Sequence, residues 1–177
     1  VKSDHIFVIG NSLSDHIINK YGISKFKITN LGQGVNLNNY LPNFCKPNDL
    51  KSFHGPIAIW VGLLSKIDIF YFKIVADELA KKNGVIVIIG PNIKINELSD
   101  IENIVFLGPK SSADVPKYLK FADIGLMLYD RKNIDIYKGQ HPLKLYEYCA
   151  AGLQVISTPH SEYKFINPPV KIIHNEI

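Results

Sequence analysis

Apolar residues in this chain fall in short unbroken runs, each closed by Gly, Pro or a polar break. Ile57–Val61 is wholly apolar and stops at Gly62, and Val85–Ile89 stops at Gly90-Pro91. Residues 103–107 stop at Gly108-Pro109, and 124–128, 154–157 and 170–173 complete the series. Apolar runs of this length, bounded by turn residues, fit strands covered on both faces. Helical patterns lie between them. Asp68 is a candidate cap for a helix to about Lys82, ended by Asn83-Gly84; Ser112 opens one reaching about Ala122; residues 141–152 form another. Strands alternating with helices predict parallel pairing with right-handed crossovers. The expected fold is therefore α/β, a doubly wound (Rossmann-like) parallel sheet of about six strands with helices on both faces. If the order counted from Ile57 is 3-2-1-4-5-6, the switch point lies between the first and fourth strands, where such sheets bind ligands. The loops leaving those strands are 62–66 and 129–141, and the second leads directly into the 141–152 helix.

The pattern before Ile57 is weaker. Residues 5–9 and 25–29 are strand candidates, Ser12 with Asp15 makes a candidate capping box, and Gly22 suits a helix end. Residues 42–56 hold three prolines and few periodic apolar positions. They read equally as a linker or as a long loop within one domain.

Composition narrows the class without naming a ligand. A chain of 177 residues suits one domain, or one domain plus a fragment of another. With 46% hydrophobic and 20% charged residues it is a globular chain rather than a disordered one. No apolar run approaches the ~20 residues that span a bilayer, and the first residues lack the pattern of a signal peptide. Two cysteines make no disulfide framework, which points to a reducing cytosol. Cys149 is expected to be a small buried apolar residue rather than a nucleophile. The net charge of +4 permits an anionic ligand or an acidic membrane surface and selects neither. Its lysines are scattered, without a nucleic-acid footprint. There is no G-x-x-x-x-G-K-[ST], no G-x-G-x-x-G after a strand and no zinc-type Cys/His spacing.

Chemistry concentrates in His141-Pro142-Leu143-Lys144-Leu145-Tyr146-Glu147-Tyr148-Cys149-Ala150-Ala151-Gly152. Pro142 suits the first helical position and Gly152 a left-handed cap. Lys144 and Glu147, three apart, share a face within the first two turns. A helix N-terminus offers free N–H groups and partial positive charge to a phosphate, and Lys144 adds a full charge beside it. Glu147, one turn deeper, suits two ribose hydroxyls. The same spacing also describes an exposed Lys–Glu pair worth only ~0.2–0.5 kcal/mol. Spacing alone favours that plainer reading.

The run P-L-K-L-Y-E-Y-x-A-A-G-x-x-V-I-S-T over residues 142–158 resembles the donor-binding motif of GT-B glycosyltransferases. The resemblance covers residues 57–173 and extends more weakly to the earlier strand, helix and Gly34-Val35-Asn36 turn. It implies the C-terminal half of a GT-B fold: residues 1–45 as the tail of an N-terminal domain and the interdomain crossover, 46–177 as the nucleotide-sugar-binding domain. The implied reaction moves a hexosyl or glucuronosyl group from a nucleotide-diphosphate donor, UDP by family frequency, to an acceptor hydroxyl. Polysaccharide or glycoconjugate synthesis is the implied setting. In the family, the Lys and Glu matched by Lys144 and Glu147 contact diphosphate and ribose, next to His141, Pro142 and Leu143. Gly62, Leu63 and Lys66 would face phosphates and sugar, and Leu107 the base. Lys66 reads equally as a solvated lysine, Leu107 as a plain strand end and His141 as a helix-start residue. Asp130, Arg131 and Asp135 would border the sugar, or be merely solvated.

Two departures matter. Retaining family-4 enzymes carry Arg directly after the glycine, where this chain has Leu63. They carry a second Glu eight residues before the ribose-binding one, where it has Gly139. The pattern is closer to inverting enzymes, in the branch of the xanthan glucuronosyltransferase. GT-B enzymes generally need no metal and take their catalytic base from the N-terminal domain, so no catalytic residue and no cofactor is assigned. Implied partners are the donor, a saccharide or lipid-linked saccharide acceptor, and the parent's N-terminal domain, with no nucleic acid. The implied location is cytoplasmic, peripheral at the inner face of the membrane. Two rival readings are a nucleotide-sugar epimerase of the same architecture and a non-catalytic α/β nucleotide-binding module. The first needs an acid/base pair that the sequence does not offer; a response-regulator-like version of the second needs acidic residues where Gly62-Leu63-Leu64 stand.

Overall fold

The computed structural model describes residues 3–91, 95–133 and 140–173. Among the described residues the strands are β1 Ile6–Val8, β2 Ile28–Asn30, β3 Ile57–Val61, β4 Val85–Ile89, β5 Ile104–Gly108, β6 Ile124–Met127, β7 Gln154–Ser157 and β8 Val170–Ile172. The helices are α1 Asn11–Tyr21, α2 Ile69–Ala80, α3 Asn96–Ser99, α4 Val115–Leu119, α5 Leu143–Ala151 and α6 Tyr163–Ile166. Strands β3 to β8 form one parallel sheet in the order β5-β4-β3-β6-β7-β8. Counted from β3 this is 3-2-1-4-5-6, the order expected of a doubly wound sheet, with its switch point between β3 and β6.

Alternation along β3 explains the two-sided core. Ile57 and Ile59 face one way, among Val87, Ile89, Leu119, Leu145 and Tyr148. Ala58 and Trp60 face the other, among Phe72, Ile86, Ile88 and Leu126. Both faces are buried, so neither shows polar alternation.

The switch point is a physical split. β3 and β6 pair only at Ala58↔Ile124 and Ile59↔Gly125, although both strands run on. The buried Tyr148 hydroxyl fills the gap. It accepts from the Val61 N–H at 3.1 Å and faces the carbonyls of Ile59 and Leu126 at 3.3 and 3.4 Å. Its ring lies against Gly125, where an added Cβ would come within 2.4 Å of it. This one side chain fastens α5 to both strands of the switch point.

Several local expectations need correction. Pro142 is the cap of α5 rather than its first residue, because its ψ of 93° is extended. Cys149 is exposed, not buried, since the inward positions of α5 are Leu145 and Tyr148. The Ser12/Asp15 capping box does not form. Gly10 caps α1, and the Glu162 carboxylate accepts the N–H groups of Asn11, at 3.0 Å, and Ser12. Residues 25–27 turn as a 3-10 helix before β2 starts. The helix expected from Ser112 begins at Val115, because Ser111 and Asp114 close a side-chain turn first. The short helices α3 and α6 are too brief to leave a periodic signal.

Residues 42–56 are tied to the sheet domain. Leu50 is fully buried, Lys46 Nζ donates to the Phe53 carbonyl at 2.9 Å, and Asp49 pairs with Lys110 at 2.7 Å. The β1-α1-β2 unit is different. Its two strands pair in parallel, α1 buries no residue, and Phe7, Phe26 and Leu31 stand exposed.

Gly125→Ala should force the Tyr148 ring off the split and destabilise the fold by about 1–3 kcal/mol. Urea unfolding measures this. A loss below about 0.5 kcal/mol would show that the ring is not held against β6.

Candidate functional site

Helix α5 points its N-terminus into the crevice because both ends are fixed. Pro142 starts it, and Gly152, at φ 82°, ends it with its N–H on the Cys149 carbonyl at 3.0 Å. Leu145 N–H closes on the Pro142 carbonyl at 3.0 Å. Among the described residues no acceptor meets the N–H groups of Leu143 and Lys144. A helix start with open donors carries partial positive charge.

Lys144 extends from this start across the crevice. Its Nζ lies 3.1 Å from the Trp60 ring centroid and 5.3 Å from that of Tyr129. It also lies 3.3 Å from where a Gly62 Cβ would stand, so the glycine at φ 139° leaves the ammonium its room. Among the described residues no carboxylate lies within ion-pair distance of it. Burial depresses its pKa well below the ordinary lysine value, the charge of Lys66 adds to this, and Glu147 opposes it. The ring faces also favour the charged form. The result is a desolvated cation beside a second one, which suits an incoming polyanion.

Glu147 projects from the same helix into a pocket of about 550 Å³ lined by Gly34, Val35, Asn36, Tyr40, Ser112, Ala113, Pro116 and Leu143, among others. Burial raises its pKa, with Lys144 pulling the other way. Burial and the Glu147 charge push the Tyr40 hydroxyl up to about 12. The pocket has the size of a small-molecule site. It adjoins the Lys144 crevice through α5.

The residues expected from the sequence divide. Gly62, Lys66 and Lys144 gather at the crevice, with Lys66 Nζ donating to Gln140 Oε1 at 3.4 Å. Leu143 and Glu147 share the pocket, and Pro142 is buried at the helix start. Leu63 is exposed at the start of a 3-10 turn. Leu107 is half-buried, its side chain packed against the core beneath the pocket face of the sheet. His141 is buried with both ring nitrogens engaged, one against the Ile9 carbonyl and the other 2.6 Å from the Tyr146 hydroxyl. It ties the β1 segment to α5 rather than facing the crevice. Arg131 pairs with Asp68 at 3.1 Å and stacks on Tyr71. Asp130 accepts from the Lys132 N–H at 2.9 Å. Asp135 and Gly139 lie outside the described residues.

Trp60, Tyr148, Tyr40 and Glu162 were not singled out in the sequence. Trp60 had a signal, being the chain's sole tryptophan, one residue before the turn leading to Gly62. Glu162 had none, because its partners are about 150 residues away. Burial works to raise the Glu162 pKa, but hydrogen bonds from Ser12 and Asn11 outweigh it and hold the carboxyl low.

Sheet order, crevice and helix start give a doubly wound α/β domain whose fold matches that of solved glycosyltransferase domains. The chain is 27% identical over 167 residues to TuaH of Bacillus subtilis (strain 168), a proposed glycosyltransferase of teichuronic acid biosynthesis; the match covers 89% of the chain and 41% of TuaH. A glycosyltransferase from Rickettsia africae ESF-5 superposes with TM-score 0.70 at 16% identity, over 98% of this chain and 50% of that one. HepE of Anabaena, solved with UDP-glucose, superposes with TM-score 0.64 at 11% identity, over 97% and 50%. The chain thus spans half or less of these proteins. No family model matches it.

The Lys144 environment predicts a pH dependence. Its pKa is lowered in the free protein, and a bound polyanion should raise it, so binding should take up a proton. Affinity should be full below the depressed value and fall as pH rises toward the ordinary lysine range. Titrating UDP above roughly pH 7, where its phosphates are fully ionised, measures this. Affinity flat across that range would contradict it.

Proposed function

We propose that this chain is the nucleotide-sugar-binding part of a glycosyltransferase, with a UDP-sugar as donor and an acceptor hydroxyl as the receiving group. The observation that carries the reading is Lys144, a half-buried lysine whose ammonium lies on the Trp60 ring and faces no carboxylate among the described residues, set at an open helix N-terminus beside a pocket holding Glu147. The likeness to TuaH, and the fold shared with a protein solved with UDP-glucose, support it.

In this reading the Lys144 ammonium and the open N–H groups of α5 stabilise the leaving diphosphate as its negative charge develops. They supply that charge compensation without a metal. Glu147 accepts the ribose hydroxyls and sets the nucleoside in register. The base enters the pocket walled by residues 34–40 and 112–116, with Leu107 contributing backbone. The rival epimerase needs an acid/base pair at the sugar, and the groups meeting at Gly62 are cationic.

The chain reads as the C-terminal half of its fold. The exposed apolar surface of the β1-α1-β2 unit supports this, because a two-stranded parallel sheet does not bury enough to stand alone. An N-terminal domain packed there would carry the acceptor groove and catalytic base. A hexosyl or glucuronosyl donor, an inverting course as in the xanthan glucuronosyltransferase branch and a saccharide or lipid-linked acceptor complete the reading. It places the parent in the cytoplasm, peripheral to the inner face of the membrane. No helix among the described residues is long and apolar enough to cross a membrane.

Isothermal titration with UDP, GDP, ADP and uridine tests the site. One nucleoside diphosphate should bind. Lys144→Ala should weaken it by about 1.5–3 kcal/mol, roughly 10- to 150-fold, and uridine by less than about twofold. Glu147→Ala should weaken both. Equal loss of UDP and uridine on Lys144→Ala would contradict the role given to the lysine.

A further inference from the structure

Trp60 lies where no motif assigns it a part. It is fully buried on β3 and wedged edge-to-face between Phe72, at 5.7 Å, and Tyr129, at 5.5 Å. Those neighbours leave the indole no freedom to turn. The face it presents to the crevice carries the Lys144 ammonium, 3.1 Å from the ring centroid. Its Nε1–H is buried with no acceptor among the described residues, although a buried indole N–H usually finds one. That nitrogen and Lys144 Nζ border the same gap: they lie 4.0 and 3.3 Å from the point a Gly62 Cβ would occupy. Two donors thus converge beside a backbone with no side chain in the way.

We propose that Trp60 is a positioning residue of the donor site, whose ring holds the Lys144 ammonium at the crevice in the place where it meets the diphosphate. The proposal rests on the donor-site reading above. A free lysine side chain loses rotamer freedom on binding a ligand. A lysine already laid on a rigid aromatic face has lost most of it, and the face compensates a charge that burial has stripped of water. The diphosphate then meets a cation already in place. When a phosphate oxygen takes up the ammonium, Lys144 keeps its place in the crevice beside Gly62 but shifts off the ring centroid, so the indole's contact with the cation loosens and its N–H faces the ligand.

The sole tryptophan makes the movement visible. An ammonium against an indole quenches its emission by proton transfer, so saturating UDP should brighten the chain's tryptophan fluorescence and saturating uridine should leave it unchanged. In Trp60→Leu, UDP should bind about tenfold more weakly or worse, with uridine within about twofold. Trp60→Phe keeps a ring face and should recover most of the loss. Equal weakening of UDP and uridine in Trp60→Leu would reduce Trp60 to a packing residue. If that variant does not fold, the wild-type fluorescence decides. Calorimetric binding of UDP with no change in emission overturns the proposal and leaves the donor site standing. Absence of any nucleoside-diphosphate binding overturns the donor-site reading itself.

Discussion

The site depends on one hydroxyl in one gap. Where β3 and β6 part, their backbone groups lose each other as partners, and a buried N–H or carbonyl left alone costs about 1–3 kcal/mol. Tyr148 takes over the Val61 N–H and reaches the carbonyls of Ile59 and Leu126. It reaches that depth only because Gly125 has no side chain. Burial raises its pKa well above that of a free tyrosine, so the hydroxyl stays protonated and can donate while it accepts. The repair of the sheet and the docking of α5 are therefore the same contact. It sets Lys144 one helical turn before Tyr148 at the mouth of the split, and Glu147 beside it.

What α5 carries is deliberately unbalanced electrostatics. Asp68, Asp49 and Asp114 each meet a cation at 2.7–3.1 Å. Lys144, whose pKa desolvation lowers, rests on rings instead. Such an arrangement weakens the free protein locally and rewards a ligand that brings negative charge, the usual way binding sites depart from optimal packing. The nearby Glu147 is not close enough to neutralise the lysine, and is itself raised in pKa by burial. Each group is thus kept available for a ligand.

Much of the sheet was legible because its strands are buried on both faces and read as unbroken apolar runs: β3, β4 and β7 fall where the pattern puts them. The strand order entered only as a condition on a doubly wound sheet, and the sheet has that order. The Lys144–Glu147 pair was legible as helical spacing joined to a resemblance. What escaped is non-local. Glu162 caps α1 across the chain, Tyr148 works through a gap that no periodicity encodes, and His141 turns to Ile9 instead of the crevice. Cys149 was misplaced because its helix has a narrow buried stripe, with only Leu145 and Tyr148 fully inward. The wall of the Glu147 pocket came from residues 34–44, a stretch with turn chemistry but no pattern.

A crystal structure of this chain with UDP would show what the start of α5 holds. A β-phosphate oxygen should lie within hydrogen-bond reach of Lys144 Nζ and of the Lys144 N–H, with the Glu147 carboxylate on the ribose hydroxyls. UDP bound with its phosphates away from the start of α5, for example beside Arg131 and Lys73, and Glu147 touching neither hydroxyl, would contradict that placement.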